Sequence, residues 1–201
     1  MTTVSWSEND MIIDQMIKGS TGELWGNRLE QSAHYPLLKS ILEDIGHKGL
    51  LIDLGCGAGD VSRTWHGEYL GADLSWVIER VAKVCNTTAQ YISLNAQNDD
   101  LTSLPKCRCV LMNALLDVLE KPEEVLRKVC ETVDTDYVVV HRQKIAEIPE
   151  IRYGKSYGDA IVAVSTLSEE SLKKICLDYK IKQAKFFHWA GDYHSFILKM
   201  R

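Results

Sequence analysis

Apolar and polar positions follow two rhythms along the chain, and the rhythm changes from segment to segment. Residues 28–45 carry Leu29, Leu37, Leu38, Ile41, Leu42 and Ile45 at helical spacing and stop at Gly46. "GLLIDL" (49–54) follows as an apolar run of strand length. Further strands are expected at 68–74, 89–95, 107–113 and 136–141, with helices at 76–85 and 122–133. Pro122 suits the first turn of the second of these. A short helix is expected over 8–18 and a loop over 19–27. Ser168, followed by two acids, reads as the N-cap of a helix reaching 179. "IKQAKFFHW" and "YHSFILKM", joined by "AGD", read as a closing hairpin.

Strands separated by helices need crossover connections. They predict an α/β fold: a seven-stranded, mostly parallel sheet with helices on both faces and an antiparallel C-terminal hairpin strand. A chain of 201 residues fits one domain. Its expected parts are a helical cap (1–46), a core (47–141), a lid loop (142–167) and a C-terminal helix and hairpin (168–201). The stretch 142–167 is read as a lid because it is too polar for core and too long for an ordinary connection.

The formal net charge of -5 argues against broad attachment to nucleic acid. "MTTVSWSENDMIID" lacks a secretory apolar region, and no apolar run is long enough to span a membrane. Six cysteines are therefore expected as free thiols in a reduced, cytoplasmic setting. "CRC" (107–109) is the one close pair and no CxxC occurs, so no metal site is expected.

The chemistry concentrates in "LLIDLGCGAGDVS" (50–62), where Gly55, Gly57 and Gly59 follow a strand. A dinucleotide fingerprint needs its third glycine at position 60, which is Asp. That acid also suits a phosphate poorly, and no P-loop sequence is present. Close backbone approach to something other than a phosphate is expected, beyond the carboxyl ends of the strands. The glycines can equally be purely conformational, Asp73 an N-cap and Asn113 a strand terminator.

Taken in order, "LLIDLGCGAGD", "YLGADLS", "NA" and "CVLMNALLDVLEKPEEVLRKV" resemble the successive motifs of class I S-adenosylmethionine-dependent methyltransferases, which have a Rossmann-like fold. The resemblance covers residues 50–141, and the last helix and hairpin fit the same family's ending. It implies S-adenosylmethionine as cofactor and S-adenosylhomocysteine as product. It implies cofactor contacts from Asp53, Gly55, Cys56, Gly57, Asp73, Leu74, Asn95, Ala96 and Asn113. Asp53 would meet the ammonium, Asp73 the ribose hydroxyls, and the Asn95 carbonyl the adenine amino group, where the family commonly has an acid. The span from Gly59 to Asp73 is short for the family, so the first helix after the turn is expected to be truncated.

For the acceptor, Trp25 in the first loop and Arg142, Tyr153 and Tyr157 in the expected lid are the candidate contacts. His141, at the end of the fifth strand, is the candidate base, facing the methyl group while Arg142 anchors the lid. Asp117 is a weaker candidate. A small-molecule acceptor is expected. A methyltransferase of protein or RNA, or a non-catalytic S-adenosylmethionine-binding protein, stays open. Salt-dependent RNA retention and the absence of any acceptor, respectively, distinguish these readings.

Overall fold

The apolar run after Gly49 forms β1 (Leu50–Leu54), whose side chains are buried on both faces of a sheet. The computed structural model describes residues 6, 8–23, 28–156 and 160–201. β1 pairs in parallel with β2 (Glu68–Asp73) on one side and β4 (Cys107–Asn113) on the other. β3 (Gln90–Ser93) lies outside β2, and β5 (Thr135–Ile145) lies outside β4, both parallel. The closing hairpin, β8 (Gln183–Ala190) and β9 (Tyr193–Lys199), places β9 antiparallel beside β5. The path β3-β2-β1-β4-β5-β9-β8 is the expected mixed sheet.

Two strands are additional. Residues 142–167, expected as a lid loop, carry the end of β5 and an antiparallel pair, β6 (Ile151–Ser156) and β7 (Ala160–Leu167). β7 adds in parallel to the tip of β5 at Lys144–Thr166 and Ile145–Leu167. Among the described residues the sheet thus counts nine strands. β6 is an edge, with Ile151 and Tyr153 exposed. Its solvated side chains removed the apolar signal that marks a buried strand.

Helix α1 (Asp10–Thr21) begins at Asn9, whose side chain accepts a hydrogen bond from the Met11 N–H. α2 (Tyr35–Ile45) starts later than the apolar spacing suggests, after a single turn at Leu29–Gln31. Pro36 explains this, because it lacks the N–H that a helix running through from residue 28 needs. Residues 75–85 form one helical segment, α3, widened over Ile78–Ala82. α4 (Pro122–Thr132) and α5 (Glu169–Asp178) follow, with Ser168 capping the latter as expected. Between Gly59 and β2 only the turn Asp60–Arg63 forms, the truncation the short span predicts.

Alternation along the strands divides the core in two. Leu51, Leu111 and Val139 pack with Leu38, Ile41, Leu42 and Ile45 of α2. Ile52, Met112 and Val140 point to the opposite face, against Val125, Leu126 and Val129 of α4 and Leu172 and Ile175 of α5. Leu42 and Leu126 are fully buried, and either truncated to Ala should cost about 2–5 kcal/mol. Both layers hold the carboxyl ends of β1 to β5 at one edge. The strand order reverses there between β1 and β4, the place where open α/β sheets bind ligands.

Candidate functional site

That edge opens into a cavity of about 980 Å³. Asp53, Gly55, Cys56, Gly57, Asp73, Leu74, Asn95, Ala96 and Asn113 all line it, brought together from four strands and the loops after them. α1 contributes Met16 and Ser20, and the segment before α2 contributes Arg28 and His34. The size lies at the upper end for small-molecule sites, roughly 300–1,000 Å³.

The turn after β1 needs its glycines. Gly55, Gly57 and Gly59 have φ of 77°, 53° and 74°, the left-handed region that side chains rarely adopt. The N–H groups of Gly55 and Cys56 both donate to Ala72 O, at 2.8 and 3.3 Å, folding the turn onto β2. A Cβ on Gly55 would stand 2.6 Å from Leu115 Cδ1. One on Gly59 would strike the Tyr91 hydroxyl, so the third glycine serves packing rather than the cavity wall.

The wall is acidic. Asp53 Oδ2 accepts a hydrogen bond from the Tyr69 hydroxyl at 2.8 Å, while Oδ1 is buried with no partner. Burial raises its pKa to about 7, against the opposing pull of the Tyr69 bond. Asp73 accepts from the Gly57 N–H at 2.9 Å and the Leu74 N–H at 2.7 Å, and burial raises it to about 6. Each carboxylate oxygen keeps a further acceptor site. Asn113 Oδ1 is buried without a partner. Asp60 is compensated by the Ser20 hydroxyl at 2.6 Å and Arg63 at 3.0 Å. Burial pushes the Cys56 thiol well above its usual range, so it offers no thiolate.

Several expected roles need correction. The Asn95 carbonyl, expected to meet an adenine amino group, already accepts from the N–H groups of Gln97 (3.0 Å) and Asn98 (3.3 Å). Asn95 therefore shapes the turn that lines the cavity. Lys128 supports the same turn, donating to the carbonyls of Ala96, Gln97 and Asp99 at 3.1, 2.7 and 3.2 Å.

His141 and Arg142 exchange their expected places. His141 is fully buried on the α2 face and off the cavity wall. Its ring joins His34 Nδ1 at 3.1 Å and the Ser195 hydroxyl at 2.7 Å. Burial lowers the pKa of His141 to about 2 and of His34 to about 3, too low for a base at neutral pH. Arg142 reaches the wall because the β5–β9 register shifts between Val140 and Gln143 and Arg142 takes φ 63°. Tyr153 is also off the wall: it sits on the edge strand β6 and donates to Glu120 at 3.0 Å. Trp25 and Tyr157 lie outside the described residues.

His34 and Tyr69 escaped the sequence reading. Tyr69 shares a face with Asp53 only through the β1–β2 register, in which Leu51 faces Tyr69 and Asp53 faces Gly71, and no local signal records that register. His34 carries no signal either.

An acid with an open oxygen, a second acid on backbone donors and a glycine turn fit a ligand bearing an ammonium and vicinal hydroxyls. Among solved structures, the N-terminal domain of EvdMO1, determined with S-adenosylhomocysteine and D-fucose, matches with a TM-score of 0.65 at 12% identity over 85% of this chain and 84% of that one. The chain has the class I methyltransferase fold. This methyltransferase fold is shared with CalS10 of Micromonospora echinaspora, an amino pentose methyltransferase with bound S-adenosylmethionine (TM-score 0.64, 10% identity, 85% and 92% of the two chains). Human N-acetylserotonin methyltransferase, also bound to S-adenosylmethionine, matches with a TM-score of 0.62 at 12% identity over 94% of this chain and 55% of that one. No family model and no curated protein matches the sequence. Among the described residues no helix is long and apolar enough to cross a membrane, and no cluster of three metal-ligating side chains occurs.

Proposed function

We propose that the protein binds S-adenosylmethionine in this cavity and transfers its methyl group to a small molecule. The observation that carries the reading is the convergence of nine motif residues on one cavity at the switch point of a methyltransferase fold. Bound there, the cofactor supplies a methyl on a sulfonium that departs as a neutral thioether. The chain's own part is to bind, orient and exclude water. The open oxygen of Asp53 suits the ammonium, the two held oxygens of Asp73 suit the ribose hydroxyls, and Gly55 and Gly57 let the backbone lie close. Asp53 and Asp73 line the wall beside the glycine turn with no cationic side chain paired to either among the described residues, which favours a cationic ligand there.

A small acceptor is favoured by the covering of the cavity. The Trp6 indole lines it and donates to Val118 O at 3.0 Å, tying the N-terminal segment to the loop after β4. The similar structures include an amino pentose methyltransferase and an N-acetylserotonin methyltransferase. In this reading residues 47–141 hold the cofactor, and Trp6 and the loop after β4 enclose the acceptor.

Titration calorimetry with S-adenosylhomocysteine tests the cofactor. Saturable binding is expected, and no heat at millimolar ligand would sink the proposal. Conversion of S-adenosylmethionine to S-adenosylhomocysteine with fractionated small molecules, but not with protein or RNA fractions, tests the acceptor class.

A further inference from the structure

Arg142 and Asp117 line a part of the cavity wall to which the cofactor reading gives no partner. Arg142 stands at the end of β5 and Asp117 in the turn Leu116–Val118 after β4. Each lines the cavity, and each presents a buried polar atom with no partner, Nε of Arg142 and Oδ1 of Asp117. Burial raises the pKa of Asp117 to about 6 against the opposing pull of the nearby Arg142 guanidinium, and the two make no ion pair among the described residues. Both side chains are half-buried, and leaving such an atom of each without a hydrogen-bond partner is unfavourable. Arg142 is in the left-handed region at φ 63°, and Ala114, which begins the loop carrying Asp117, is there too at φ 51°. Two such non-glycine residues at the rim of one cavity are strain retained at a functional site.

Resting on the methyl-transfer reading above, we infer that the acceptor carries a carboxylate, held by Arg142, beside a hydroxyl or amino group that donates to Asp117. A guanidinium fork matches a planar carboxylate, and the donor satisfies the open oxygen of Asp117. A phosphate dianion fits less well, because it would bring two negative charges against Asp117 with one guanidinium to oppose them. The neutral ring of His34 and the indole of Trp6 leave the rest of this end of the cavity suited to a small, flat or compact carbon skeleton.

The test uses the full chain saturated with S-adenosylhomocysteine. Salicylate, 3-hydroxybenzoate and anthranilate are each titrated beside the matching primary amide and beside phenyl phosphate. At least one acid is expected to bind about tenfold or more tightly than its amide and than phenyl phosphate, the scale of one charge-assisted hydrogen-bonded pair. Arg142→Gln should erase that preference while S-adenosylhomocysteine affinity stays within about threefold. Asp117→Asn should weaken 3-hydroxybenzoate relative to benzoate, which lacks the donor. Equal binding of acids and amides, binding of none of them, or a preference that survives Arg142→Gln overturns the inference. Loss of S-adenosylhomocysteine binding in a folded Arg142→Gln variant also overturns it, because Arg142 then serves the cofactor. Wild-type protein that fails to bind S-adenosylhomocysteine overturns the methyl-transfer reading itself.

Discussion

Asp53→Asn should make the free protein more stable and the ligand-bound protein harder to form. Asp53 is 1% exposed, has one hydrogen-bond partner and has its pKa raised from 3.8 to about 7. A carboxyl whose folded pKa lies above its unfolded value binds its proton more tightly when folded. Its contribution is therefore most favourable below pH 3.8, falls as pH rises and levels off above pH 7. At about 1.4 kcal/mol per pKa unit, the ionised group costs the folded state about 4 kcal/mol at pH 8 and about 2 kcal/mol at pH 5. Asn cannot ionise, and its carbonyl can still accept from Tyr69. The variant should gain up to those amounts, with a difference of about 2 kcal/mol between the two pH values. His34 and His141, whose lowered pKa values act in the opposite direction below pH 6.5, are present in both proteins and cancel.

Urea unfolding of both proteins without ligand, at pH 5 and pH 8, reads this directly. Calorimetry with S-adenosylhomocysteine should then show the variant binding about 10- to 150-fold more weakly at pH 8, the loss of a hydrogen bond to a charged group worth about 1.5–3 kcal/mol. A variant less stable than wild type at pH 8, or a gain independent of pH, refutes the buried-carboxylate argument. A stabilised variant with unchanged affinity refutes the placement of the ammonium at Asp53.

Gly55→Ala combines a left-handed backbone with a contact of 2.6 Å to Leu115, so it should destabilise by about 2 kcal/mol or more. Gly191→Ala, with φ of 54° but open space around it, should lose only about 1 kcal/mol, and equal losses would show that the Leu115 contact is irrelevant. The rings of His34 and His141 should show no titration by NMR between pH 5 and pH 8; a midpoint near 6.5 for either contradicts their burial. Lys128→Met removes the donor to three carbonyls of the turn 96–99 and should weaken S-adenosylhomocysteine about fivefold, with faster amide exchange confined to that turn. Unchanged affinity and exchange would show that the turn holds itself.

The order of strands and helices, the glycine turn and the residues around it were legible in the sequence because each is a local matter. A strand buried on both faces must be a continuous apolar run, as in "LLIDL". A turn with three positive φ angles must carry glycines, and Pro122 and Ser168 mark helix starts through groups within one turn of themselves. Nine residues named from motifs reached one cavity because motif spacing and strand ends are fixed together. What the sequence did not determine depends on partners distant in the chain. β6 and β7 pair with each other and touch β5 only at its tip, so no buried face wrote an apolar pattern into β6. The pairing of Tyr69 with Asp53 needed the register between two strands. His141 sinks toward His34 and Ser195 because it follows Val139 onto the α2 face, while Arg142 turns to the cavity through a shift in the β5–β9 register and a left-handed backbone. A register shift is set by how two strands settle against each other, and only the tertiary structure decides which neighbouring side chain meets the ligand.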